Sequence, residues 1–187
     1  LNLQDKFKQL TQASEFLAGY PTNTDFNYEE LYKFFQFNIN NVGDPYDDNL
    51  YSCNTHEFET EVIDWFAKLL RSNGNHWGYV THGGTEGNMH GMYLAREVWP
   101  NGIVYLSEET HYSISKIVHL LKMDHVIVKS QENGELDYND FDQMVYMHRD
   151  KPAIIVANIG TTMKGAIDSV VKIKSILKKY AIRRKYI

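Results

Sequence analysis

Apolar positions along this chain follow two periods, and the change from one to the other divides it. Phe58, Val62, Trp65, Phe66, Leu69 and Leu70 recur at helical spacing, which gathers their side chains on one face. Asn54 and Glu57 stand ahead of them as a capping pair. The pattern predicts a strongly amphipathic helix. Upstream, helical spacing covers residues 3–18 and stops at Gly19 and Pro21, residues that end helices. A second helix is predicted over 28–37. Residues 38–46, Asn-Ile-Asn-Asn-Val-Gly-Asp-Pro-Tyr, are turn-rich and too polar for a buried strand, so they read as a loop crossing the surface or lining a site.

From Trp77 onward short β-branched runs alternate with helical stretches. The pattern predicts strands at 77–80, 103–106, 126–128 and 153–157, with helices over 86–98, 112–121, 138–147 and 169–180 and a turn at Asn133-Gly134. Alternating strands and helices imply an α/β fold with a parallel sheet covered by helices. Residues 153–157, Ala-Ile-Ile-Val-Ala, are continuously apolar, as a strand buried on both faces should be. Ligands of such sheets sit beyond the carboxyl ends of the strands. That rule singles out the loops 81–88, 107–113 and 158–168.

Composition narrows the function classes. The chain has 187 residues, enough for one domain with a real core. It has no repeat, low-complexity tract or Pro/Ser linker. The formal charge of −5, with basic residues scattered except near the C-terminus, argues against a nucleic-acid footprint. A single cysteine, Cys53, excludes an internal disulfide and a cysteine metal site. No apolar run reaches the roughly 18 residues of a membrane span, and the first residues carry no signal-peptide core. A reducing compartment, the cytoplasm, is the expected location. The chain does not begin with Met, which leaves room for an upstream start.

Each loop carries candidate chemistry beside a plainer alternative. Thr81-His82-Gly83-Gly84-Thr85-Glu86-Gly87-Asn88 leads into a helix, so small residues expose backbone N–H groups at a positive helix end, the setting for a phosphate. Gly-Gly also serves as an ordinary turn. His111 could cap a helix or face a ligand. Two hydroxyls and two glycines in 158–168 suit a planar polar ligand, or satisfy only their own backbone. The other histidines lack metal-ligand spacing supported by carboxylates, and no metal is expected. The loop 81–88 lacks the Gly-x-Gly-x-x-Gly order and no acidic residue clearly ends the second strand, which weakens a dinucleotide reading.

Five ordered motifs spread over nearly the whole chain then point to one family. Gly19-Tyr20-Pro21, Asn40-Asn41-Val42-Gly43-Asp44-Pro45, residues 77–91, Thr110-His111-Tyr112-Ser113 and residues 157–168 resemble the pyridoxal-phosphate-dependent group II amino-acid decarboxylases, and most closely the bacterial histidine and plant serine decarboxylase branch. The resemblance implies the fold type I architecture of these enzymes. It assigns residues 1–55 to an N-terminal helical segment and substrate-side loop, and 56–187 to part of the large cofactor-binding domain. It further implies pyridoxal 5'-phosphate as cofactor, with Gly84 and Thr85 on its phosphate, His111 stacked on its ring and Thr162 near its 3-hydroxyl side. Tyr20 and Pro21 would wall the substrate pocket. Asp168 also matches a family position, with a structural role favoured over a catalytic one.

By the same resemblance the activity is release of carbon dioxide from an amino acid. Histidine, giving histamine, comes first, then serine, then aromatic amino acids. The family's cofactor-anchoring lysine lies in a Ser-x-His-Lys motif downstream of Asp168, and its ring-pairing aspartate in a His-x-Asp-x-Ala motif. Neither motif occurs in this chain, and neither Lys116 nor Lys164 is assigned the lysine's role. The expectation is an N-terminal fragment or truncated product, inactive alone, of a homodimeric enzyme. A non-catalytic remnant that binds phosphate or pairs with another subunit is the alternative. An isolated half-sheet would expose apolar faces and an unpaired edge, so poor solubility is expected.

Overall fold

The computed structural model describes residues 2–19, 23–47, 51–180 and 182. The chain divides into two compact units, Leu1–Val80 and Thr81–Ile187.

In the first unit, helix α1 (Leu3–Ser14) starts at Asn2, whose side chain accepts from Gln4 N at 3.0 Å. It ends four residues before the expected Ala18. The Thr11 and Ser14 hydroxyls bond back to the Phe7 and Thr11 carbonyls, which competes with helical bonding, and no residue of α1 is buried to reward extension. Gly19 adopts φ +83° beyond this end; Pro21 lies outside the described residues. The second expected helix is a 3-10 helix, Glu29–Gln36, again with nothing buried. Its aromatic residues are poor α-formers.

The loop 38–46 is irregular, as its composition requires, and Asn41 ties it down. The Asn41 side chain accepts from Thr55 N and donates to Glu59 Oε2. Helix α2 (His56–Leu69) follows, with Thr55 at its N-cap. Asn54 accepts from His56 N at 3.1 Å, while the carboxylate that fastens this region is that of Glu59, not the expected Glu57. Residues 77–80 form no strand. Val80 N–H donates to Glu59 Oε1 at 2.7 Å and Trp77 Nε1 to Asp44 Oδ2 at 2.9 Å, so side-chain carboxylates take donors there and no ladder forms.

The second unit is a three-layer α/β fold. Its elements are α3 (Gly84–Val98), β1 (Ile103–Ser107), α4 (Tyr112–Leu120), β2 (His125–Val128), α5 (Tyr138–Met147), β3 (Ala153–Ile155) and α6 (Val170–Lys179). The strands form a parallel sheet in the order β2-β1-β3, with Val104 opposite His125 and Ile103 opposite Ala153. The pleat sends alternate β1 side chains to opposite faces. Ile103 and Tyr105 join Phe141, Val145, Ile173 and Leu177 from α5 and α6. Val104 and Leu106 join Met92, Ala95, Ile114 and Val118 from α3 and α4. The doubly buried strand is therefore β1. The apolar run 153–157 is in the ladder only to Ile155; Val156 N–H still reaches Tyr105 O at 2.9 Å, and Ala157 is exposed where the chain leaves the sheet.

Side chains set the starts of α5 and α6. Asp137 accepts from Asn139 N and Asp140 N to begin α5, and Ser169 accepts from Lys172 N to begin α6. Gly134 takes φ +87°, and a Cβ there would lie 2.9 Å from Lys164 Cβ. Only glycine fits that turn. No helix among the described residues is long and apolar enough to cross a membrane.

Two outcomes follow. Phe141 is fully buried with its ring edge-on to Tyr105 at 5.5 Å, so Phe141→Ala is expected to cost about 3–5 kcal/mol in chemical denaturation; a loss under about 1 kcal/mol would contradict this packing. Trp65, Leu69 and Leu70 of the amphipathic stretch are 58%, 60% and 75% exposed, so the 187-residue chain by itself is expected to self-associate in light scattering. A monodisperse monomer with a cooperative melt would contradict it.

Candidate functional site

The chain leaves β1 through residues 107–111 into α4 on one face of the sheet, and leaves β3 through 156–168 towards α6 on the other. Neighbouring strands whose continuations part in this way leave a crevice at their carboxyl ends. A cavity of about 170 Å³ occupies it, lined by Asn88, Thr110, His111, Ile114, Asn158 and Thr162 among others.

Helix α3 reaches the cavity through Asn88, one turn beyond its start. Gly83 caps the helix, and its carbonyl accepts from Glu86 N and Gly87 N at 3.1 and 3.2 Å and from the Thr81 hydroxyl at 3.0 Å. The N–H groups of Gly84 and Thr85 precede these first helical bonds and have no intrahelical acceptor. A Cβ on Gly84 would meet nothing within 4 Å. Glu86 reaches back to His82, accepting from its backbone N at 2.8 Å and meeting its ring Nδ1 at 3.0 Å. Those bonds, the backbone one foremost, hold the Glu86 carboxyl below its usual range. The loop is thus held by its own side chains while two backbone donors stay open.

His111 is the N-cap of α4. Its Nδ1 lies 2.8 Å from Ser113 Oγ and accepts from Ser113 N at 3.3 Å. The Asn88 amide, one turn into α3, donates to the same Ser113 Oγ at 3.2 Å. The structure therefore places His111 and Thr162 on one cavity and links His111 through Ser113 to the helix that Gly84 and Thr85 begin. Gly84 and Thr85 do not line the cavity themselves. Tyr20 and Pro21 lie outside the described residues. Lys164 pairs with Glu109 at 2.9 Å, and Lys116 Nζ sits over the Tyr112 ring at 4.6 Å.

Behind the cavity, Asp168 is 4% exposed. Its carboxylate accepts from Leu136 N at 2.7 Å, Asn158 N at 2.7 Å and Asn158 Nδ2 at 2.8 Å. The Asn158 amide also donates to Ser107 Oγ at 3.2 Å and Thr110 Oγ1 at 3.3 Å. Asn88, Ser113 and Asn158 were not singled out by sequence reasoning. A one-turn offset from Gly84 marks Asn88, and a two-residue offset from His111 marks Ser113; nothing in the sequence marks Asn158 as a junction.

Comparison with known proteins gives a consistent picture. Residues 39–183 match the model of the pyridoxal-dependent decarboxylase conserved domain. The histidine decarboxylase of Mesorhizobium japonicum is 46% identical over 186 residues, 99% of this chain and 50% of that protein. Serine decarboxylase 1 of Oryza sativa is 46% identical over 162 residues, 86% of this chain and 34% of that protein. The crystal structure of L-methionine decarboxylase from Streptomyces sp. 590 with 3-methylthiopropylamine superposes with a TM-score of 0.84 at 26% identity, covering 95% of this chain and 46% of that one. The chain spans about half the length of the histidine decarboxylases it matches.

The Asp168 brace makes a definite prediction. Asp168→Ala strands the Leu136 and Asn158 N–H groups and is expected to cost about 2–4 kcal/mol in urea unfolding, with Asp168→Asn losing less because one acceptor remains. A loss below about 0.5 kcal/mol for the alanine variant would show that these bonds hold nothing together.

Proposed function

The chain belongs to the pyridoxal-dependent decarboxylase family, and from that premise we propose that the whole protein is a pyridoxal-phosphate-dependent amino-acid carboxy-lyase acting on L-histidine to give histamine and carbon dioxide. The observation that carries the reading is a crevice lined by His111 and Thr162 and tied, through Ser113 and Asn88, to the helix whose open start is Gly84 and Thr85. These groups fit pyridoxal phosphate. Two unengaged N–H donors at the positive end of α3 suit its dianionic phosphate, a flat ring on the cavity wall suits its aromatic face, and a hydroxyl suits its ring oxygen.

In this reading Gly84 and Thr85 bind the phosphate, the latter also through its hydroxyl. His111 covers one face of the ring and is the catalytic residue of this chain; Thr162 stands at the 3-hydroxyl side. Tyr20 and Pro21 wall the substrate pocket. When bound, pyridoxal phosphate supplies the conjugated system that accepts the electron pair left by departing carbon dioxide. The residues of this chain orient it: anchoring at the phosphate and cover by the imidazole fix the ring plane, against which the carboxylate bond must stand perpendicular. Lys164 and Lys116 are engaged elsewhere, and neither is given the covalent role.

Histidine ranks ahead of serine because the histidine decarboxylase of Mesorhizobium japonicum matches over 99% of the chain and the rice serine enzyme over 86% at equal identity. We further propose a cytoplasmic homodimer as the working form.

The test is the full-length protein loaded with pyridoxal phosphate and given histidine, serine or tyrosine, with carbon dioxide release followed. Histidine is expected to react fastest. Thr85→Ala is expected to weaken cofactor binding about tenfold and His111→Ala to lower kcat about a hundredfold. No cofactor uptake, or no release from any of the three, would overturn the reading.

A further inference from the structure

Nδ1 of His111 is met twice from α4. The Ser113 backbone N–H can point only one way, and at 3.3 Å it needs a lone pair on Nδ1. A hydrogen on Nδ1 would set N–H against N–H. The second partner, Ser113 Oγ at 2.8 Å, is a hydroxyl that could donate or accept. Its own surroundings settle which. Ser113 is 1% exposed and the Asn88 amide donates to its oxygen at 3.2 Å; the oxygen keeps a second lone pair, but the hydroxyl hydrogen, shut off from water, needs an acceptor, and His111 Nδ1 is the acceptor within reach. Both contacts then ask the same thing of the ring.

From this relay we infer that Asn88 and Ser113 lock His111 in the Nε2–H tautomer, so that the imidazole offers its outer partner a hydrogen-bond donor and not a lone pair. His111 lines the cavity while Nδ1 is turned back to Ser113, which leaves Nε2 on the ring's free edge. An acceptor on the bound molecule is favoured there; a donor is disfavoured. Asn88 and Ser113 act through His111 and are positioning residues. The relay also ties the helix that starts the proposed phosphate site to the residue proposed to cover the ring, joining two parts of the site by side-chain bonds. The tautomer follows from this chain's own hydrogen bonds; its use in catalysis rests on the function proposed above.

Asn88→Asp is the sharpest probe. A carboxylate in place of the amide accepts the Ser113 hydroxyl hydrogen, turns Ser113 Oγ into an acceptor towards the ring and favours Nδ1–H. Ser113→Ala removes the hydroxyl and leaves only the backbone donor. Long-range proton–nitrogen spectra of the full-length protein labelled at histidine, with the His111 signal assigned by its loss in His111→Gln, read the tautomer directly. The wild type is expected to show a protonated Nε2 and a bare Nδ1. Asn88→Asp is expected to move the population towards Nδ1–H and to lower kcat about tenfold. Ser113→Ala is expected to keep Nε2–H as the major form through the backbone donor, with a smaller excess than in the wild type. A wild-type ring protonated on Nδ1, or an Asn88→Asp spectrum identical to the wild type, would overturn the inference. Spectra taken without cofactor decide the tautomer by themselves, so failure to bind cofactor would count against the proposed function alone.

Discussion

The buried carboxylate of Asp168 is the constraint on which the crevice depends. It closes three donors from two places, the Leu136 backbone after β2 and the Asn158 backbone and amide after β3. Asn158 passes the constraint on to Ser107 and Thr110 at the end of β1. A sheet fixes its strands but not the loops beyond them. Here the chain after each of the three strands is bonded into one cluster, and Thr110 is the residue before His111. A buried anion with three donors is costly to disturb, because each stranded N–H loses its water as well as its partner.

The two faces of β1 carry the rest. With Ile103 and Tyr105 committed to α5 and α6, and Val104 and Leu106 to α3 and α4, the sheet cannot slip register without turning its apolar set the wrong way. That rigidity aims two helix starts, those of α3 and α4, at the same end of the sheet. Both are positive ends, and both begin in residues with little bulk or a polar tip: Gly83, Gly84 and His111. An anionic planar ligand is the natural occupant of such a place.

Much of this architecture was legible from residue order alone. Helices α3 to α6 and strands β1 to β3 stand close to where hydrophobic spacing put them, since each packs an apolar face that the sequence displays. The misreadings in the first unit share a cause. The end of α1, the 3-10 form of residues 29–36 and the missing strand at 77–80 lie in the first unit, where apolar side chains stay exposed and local hydrogen bonds decide the backbone. Glu59 illustrates it: its carboxylate takes the Val80 N–H, and no periodicity can reveal that. At the site, the glycine turn and His111 could be read from their types. Asn88 and Ser113 are marked only by their offsets from Gly84 and His111, and their bond to each other is not; Asn158 is not marked at all, because its partners lie 10 to 51 positions away.

The account stands on the glycine turn and the imidazole serving one ligand. A crystal structure of the full-length protein with pyridoxal phosphate tests this most directly. The account predicts phosphate oxygens within about 3.2 Å of the Gly84 and Thr85 N–H groups and the His111 ring lying flat against the pyridine at about 3.5–4 Å. A phosphate seated elsewhere, or a pyridine ring with His111 turned away from it, would contradict it.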